Sequence, residues 1–151
     1  MMMDRLEVFF ERYVGRNWFV AMSVGLVVTV TVQSSSITTS LLVPMAGAGL
    51  LTLERIFPVT LGANLGTTVT ALLASLAAPA GLQIALVHML FNLFGIVLIY
   101  PAPPVRGAVL RAARAMAQFA AEKKRLAVIY ILLFFFGAPG VVFLVYELLS
   151  G

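Results

Sequence analysis

From Ile56 to Val105 the chain carries no Asp, Glu, Lys or Arg. A second charge-free run covers Asn17 to Leu53, and a third covers Leu126 to Tyr146. A membrane-spanning helix needs about 20 consecutive apolar residues, so each run has room for at least one crossing. Hydrophobic residues make up 62% of the chain, mean hydropathy is +1.06 and only 11% of residues are charged. An average soluble domain is about 25% charged. The expected fold class is therefore an all-α integral membrane protein. The net charge of +4 fits the basic loops of such a protein better than nucleic-acid binding, and no nucleic acid is expected as a partner. The chain has no cysteine, which excludes a disulfide framework and a thiolate metal site.

The pattern along the chain predicts one membrane domain over residues 1–151, in four stretches. In residues 1–16, Leu6, Phe9, Phe10, Tyr13 and Val14 recur at helical spacing. This is the signature of an amphipathic helix at the membrane interface. Asp4, Glu7 and Glu11 do not suit a cleaved signal peptide. Residues 17–100 form the core, with two helix breaks. Trp18 marks the point of entry, as interfacial tryptophans commonly do. Residues 101–125 are a basic connector. Pro101, Pro103 and Pro104 stop the preceding helix, and Arg106, Arg111, Arg114, Lys123, Lys124 and Arg125 face a single acid, Glu122. Val105, Val109, Ala113, Met116, Ala117 and Ala120 share one helical face, which predicts an amphipathic helix on an anionic leaflet. Residues 126–149 are the last transmembrane helix, softened at Gly137-Ala138-Pro139-Gly140.

Two polar constellations interrupt the core. From Trp18 to Val32 a helix would rise only about 22 Å, short of a hydrocarbon core about 30 Å thick. The run Gln33-Ser34-Ser35-Ser36, continued by Thr38, Thr39 and Ser40, therefore arrives inside the membrane. Backbone that breaks at this depth must be buried in protein or line a wet cavity. Only Ile37 interrupts the polar run, which is denser than helix packing needs. Residues after the run, with Pro44, read as a helix that returns or continues after a bend. The second constellation, Gly62-Ala63-Asn64-Leu65-Gly66-Thr67-Thr68 with Thr70, reads as a second break. Its glycines allow unusual backbone, and Thr67 and Thr68 suit a new helix N-terminus, where free N–H groups attract anions. Paired discontinuous helices of this kind are a transporter pattern. Neutral oxygens suit a hard cation such as sodium, and no acidic relay residue lies in either run.

Leu82 to Tyr100 is long enough for a full span and contains His88, Phe91 and Asn92. His88 and Asn92, at i and i+4, are expected to serve a structural or accessory role. Glu54-Arg55 reads as a solvated turn, with Arg55 near a substrate entrance as the alternative.

Gln33-Ser34-Ser35-Ser36, then Gly62-Ala63-Asn64-Leu65-Gly66-Thr67-Thr68, then His88-x-x-Phe91-Asn92 form an ordered set over about residues 13–147. The set resembles the type II sodium/phosphate cotransporter family. In that family two inverted repeats each carry a Gln-Ser-Ser-Ser motif and together bind phosphate and sodium. Pro44, Leu53-Glu54-Arg55-Ile56-Phe57-Pro58 and Phe134-Phe135-Phe136 are more like the second repeat. The resemblance implies one inverted-repeat half of a secondary transporter, with re-entrant or broken helices. Gln33, Ser34, Ser35, Ser36 and Thr39 would join Asn64, Gly66, Thr67, Thr68 and Thr70 in a substrate and ion site. Sodium would be held through Gln33, Ser34, Thr67 and Thr70. Ala63 stands where vertebrate members have serine, which removes one hydroxyl.

The expected function is sodium-dependent symport of inorganic phosphate in a plasma or inner membrane, by a multi-pass half-transporter or subunit. Phosphate, sodium and membrane lipid are the expected partners. Sodium is the coupling ion, no other cofactor is expected, and no nucleophile–base pair suggests an enzyme. The alternative is a non-transporting regulatory or scaffold subunit of a full carrier. Family members hold two repeats and this chain holds one. It is therefore a fragment, a partner of a chain carrying the other repeat, or an antiparallel homo-oligomer. The basic connector points to the cytoplasm, which would put the C-terminus after the last span outside, whereas the resemblance implies a C-terminus inside, so orientation stays open.

Overall fold

The computed structural model describes residues 17–77 and 79–150. The expected interfacial helix over residues 1–16 lies outside the described residues. All regular elements in the described residues are helical. The first helix, α1, covers Trp18–Val32; the Asn17 side chain caps it by accepting the Phe19 N–H at 2.9 Å. It ends where Gln33 takes the left-handed conformation, φ 57° and ψ 28°. Ser34 is extended and caps α2, Ser35–Gly47. A turn through Gly49, at φ 75°, leads to α3, Leu53–Ser75. A 3-10 turn, Pro79–Gly81, precedes α4, Leu82–Ile99. The helix α5, Pro103–Glu122, opens on a proline at its first position, where the missing N–H costs nothing.

The chain divides into two compact units, one ending at Arg106 and the other beginning at Gly107. The second unit contains the remainder of α5, then α6, Lys124–Leu132, a π turn at Leu133–Gly137, and α7, Ala138–Ser150. Among the described residues, three helical stretches are long and apolar enough to cross a membrane: Leu53–Ser75, Leu82–Ile99 and Lys124–Ser150. The 15-residue α1 is apolar but shorter than these.

In the first unit α1 packs chiefly on α3. Ala21, Gly25 and Thr29 recur every fourth residue and are all buried. They meet Val59, Gly62, Ala63 and Gly66 of α3, which are also buried. A Cβ on Gly25 would collide with the Val59 carbonyl, and one on Gly62 with the Met22 carbonyl. A Cβ on Gly66 would stand 2.7 Å from the Thr29 Cβ. Numbers rise together along both helices, so α1 and α3 run parallel. The intervening α2 brings the chain back, and its Leu42 joins Ala21, Leu51 and Val59 in one apolar cluster.

The expected second break is absent. Residues 62–68 lie inside the continuous 23-residue helix α3. The glycines there serve contact rather than a turn. Spaced by four on one helical face, they let two backbones approach within the thickness of a side chain. The whole of Leu53–Ser75 is thus one full-length candidate span. Thr67 and Thr68 consequently sit in the middle of a helix, not at its N-terminus.

Aromatic rings gather the ends of four elements. Tyr100, just past α4, has its ring centroid 4.7 Å from that of Trp18 and 6.1 Å from that of Phe57. The Arg106 guanidinium lies 5.1 Å from the Tyr100 ring centre and donates to the Tyr100 carbonyl at 3.3 Å. Burial pushes the Tyr100 phenol pKa up, and the Arg106 charge opposes that shift. Trp18 and Phe57 open α1 and α3, so both helices start at this end.

Candidate functional site

The break between α1 and α2 is two residues long. Gln33 is the one non-glycine residue with positive φ among the described residues. For an L-residue with a Cβ this conformation costs about 1–2 kcal/mol, and such strain clusters at functional positions. The Ser34 hydroxyl accepts the Ile37 N–H at 3.3 Å, and the Ser34 carbonyl accepts the Thr38 N–H at 3.2 Å. The N–H groups of Ser35 and Ser36 have no carbonyl one turn earlier in α2, as in the first turn of any helix. The last carbonyls of α1, just before the break, likewise lie past the reach of its own N–H groups. Free N–H groups at a helix start favour anions, and free carbonyls at a helix end favour cations.

A buried hydroxyl chain fixes this point. The Thr29 hydroxyl donates to the Thr38 Oγ1 at 2.8 Å, and Thr38 Oγ1 donates to the Ser34 carbonyl at 3.1 Å. Thr29 is 0% exposed and Thr38 4%. Thr39 Oγ1 donates to the Ser35 carbonyl at 2.9 Å and lies 3.2 Å from that of Ser36. Further along α2, Pro44 cannot donate to the Ser40 carbonyl, which loses its usual helical partner.

The threonines of α3 use their protons on their own helix. Thr67 donates to the Ala63 carbonyl at 3.3 Å, Thr68 to that of Leu65 at 2.7 Å, and Thr70 to that of Thr67 at 2.8 Å. Each oxygen keeps lone pairs as an acceptor, although Thr68 is fully buried. Gly66 rests against Thr29. Asn64 lies two residues from both Gly62 and Gly66, hence on the opposite side of α3. It is exposed.

The remaining sequence candidates lie elsewhere. The Asn92 amide donates to the His88 carbonyl at 3.1 Å, so this pair bonds through backbone within α4. His88 is exposed and lines a groove between α3 and α4 with Ala71, Ser75 and Ile84. Arg55 is half-buried in the first turn of α3.

Comparison with known proteins gives the arrangement a context. The Na+/Pi-cotransporter family profile matches residues 1–138. The chain belongs to this family. Sodium-dependent phosphate transport protein 2B of Homo sapiens is 46% identical over 130 residues, covering 83% of this chain and 19% of that protein. Protein 2A of Ovis aries is 45% identical over 130 residues, 83% of this chain and 20% of its own length. The chain thus spans about a fifth of the curated relatives it matches. No solved structure matches it significantly. The matching relatives are named as transport proteins, and neither their names nor the family's describes an enzyme.

Within this Na+/Pi-cotransporter chain, the residue that sequence reasoning overlooked is Thr29. A single threonine in Val27-Val28-Thr29-Val30-Thr31 attracts no notice by type. The signal was spacing: Ala21, Gly25 and Thr29 form a small-residue stripe.

Proposed function

We propose that the chain contributes one half of the binding and translocation path of a sodium-dependent phosphate symporter. The observation that carries this reading is the capped break at Gln33–Ser34, where Thr29 of α1 bonds Thr38 of α2. Because α1 and α3 start at one end, α1 and α2 act as a re-entrant hairpin, entering and leaving on one side, while α3 crosses. Phosphate is bound by the Ser35 and Ser36 N–H groups and the Ser34–Ser36 hydroxyls. Sodium is held by neutral oxygens from Gln33, Ser34, Thr67 and Thr70, with Thr39 supporting the first turn of α2. Gly66 sets the spacing, and Thr68, Asn64, His88, Asn92 and Arg55 act outside the first contacts.

The other half comes from an inverted second repeat, on the remainder of a longer chain, on a separate chain or on another copy, in a plasma or inner membrane crossed several times. Alternating access is then movement of one repeat against the other. No bound group beyond the coupling ion takes part. The names of the relatives support phosphate and sodium as the transported pair.

The test is phosphate uptake into proteoliposomes containing this chain together with a chain that carries the complementary repeat. Uptake is expected to require an inward sodium gradient and to fall on Gln33→Ala or Thr67→Ala substitution. Uptake indifferent to sodium, or unchanged by both substitutions, would overturn the assignment.

A further inference from the structure

The helix α5 is unlike the apolar helices described before it. Helices α1, α3 and α4 are apolar around most of their circumference, whereas α5 is strongly amphipathic. Val105, Val109, Met116 and Phe119 fall on one face at helical spacing and are at least 36% exposed. Gly107, Arg111, Arg114 and Gln118 occupy the opposite face. Water does not favour such an apolar stripe, so something covers it.

Charge and connection indicate what does. The helix follows one candidate span, Leu82–Ile99, and precedes another, Lys124–Ser150. Both its ends must therefore lie at the same membrane surface. Its 20 residues reach about 30 Å, a length that fits only if the helix lies along that surface. Basic groups stand at both ends: Arg106, stacked on Tyr100, at one, and Lys123, Lys124 and Arg125 at the other, with Glu122 the one acid nearby. An acidic protein would complement the charge but not the apolar stripe on the opposite face.

We propose that α5 binds anionic phospholipid. Its Val105–Phe119 stripe sinks to the acyl boundary of one leaflet, and the basic groups at its two ends hold phosphate headgroups. This assignment does not depend on what the chain transports.

The absence of cysteine allows single labels on the full chain. Met116→Cys and Gln118→Cys would each carry an environment-sensitive fluorophore, in nanodiscs of phosphatidylcholine with increasing phosphatidylglycerol. The label at 116 is expected to be quenched by lipid-borne nitroxide and sheltered from aqueous iodide, increasingly so as phosphatidylglycerol rises. The label at 118 is expected to stay open to iodide throughout. The double variant Lys123→Gln, Lys124→Gln is expected to weaken the phosphatidylglycerol dependence about fivefold per charge. Equal iodide access at 116 and 118 overturns the proposal. So does shelter at 116 without nitroxide quenching, which would mean that a second copy or another protein covers the face. Shelter that ignores the phosphatidylglycerol content overturns it as well. These label measurements stand even if the lysine variants fail to fold.

Discussion

At Thr29 a single hydroxyl connects three features: it bonds Thr38, its β-carbon supports Gly66, and through Thr38 it reaches the Ser34 carbonyl. Buried polar groups that lose a partner cost more than the average hydrogen bond contributes. Thr29→Val keeps the shape and removes the donor. It is expected to lower stability by about 0.5–1.5 kcal/mol, as read by thermal unfolding in detergent through Trp18 fluorescence. Thr29→Ser restores the donor and is expected to recover most of that loss. If Thr29→Val were neutral, the hydroxyl chain would not be holding the break. The strain at Gln33 has the same local character. The turn it makes would suit glycine, so the side chain is retained against a backbone cost.

Among the elements, the α1–α3 contact decides how closely the break can approach α3. A methyl group on Gly25 or Gly62 would meet backbone carbonyl, which cannot move aside as a side chain can. Gly62→Ala is expected to destabilise by about 1–3 kcal/mol, the usual cost of overpacking. Gly95, in α4, has nothing within 4 Å of an added Cβ. Gly95→Ala is expected to be neutral or stabilising, by up to about 1 kcal/mol. Comparing the melting temperatures of the two variants checks both. This contact also marks how far the sequence can be read. The break at Gln33 was legible because a short apolar helix ended in a dense polar run at a depth that required an explanation. The supposed break near Asn64 was a misreading because glycine has two uses, backbone freedom and backbone proximity, and composition does not distinguish them. Register does: a four-residue repeat on one helix facing a matching repeat on another signals contact. That signal needs both helices, and pairing α1 with α3 across α2 is not visible along a single stretch of chain.

For the whole molecule, exposure is the leading fact. The candidate span Lys124–Ser150 has none of its 18-residue apolar window buried, and Leu82–Ile99 has 11%. Lipid and partner surface must supply the environment that the chain does not provide for itself. Phe135 stands near the centre of the last span and is exposed. Phe135→Lys is expected to cost about 2.5–3.5 kcal/mol of insertion free energy. A membrane-insertion assay of the full chain should register this as a clear drop in the integrated fraction. An unchanged fraction would mean that this segment is not in the hydrocarbon core. The spans themselves were largely legible from charge-free length.

The parallel pairing of α1 and α3 bears on how the protein is made. Synthesis runs from the N-terminus, so α1 and α2 emerge before the surface that fits them. The stripe of Ala21, Gly25 and Thr29 has no counterpart until Gly62 and Gly66 have left the ribosome. Until then the hairpin is too short to cross and carries a polar tip. Its final placement is therefore a late step that follows insertion of α3, and any delay between the two leaves the polar turn waiting at the water's edge.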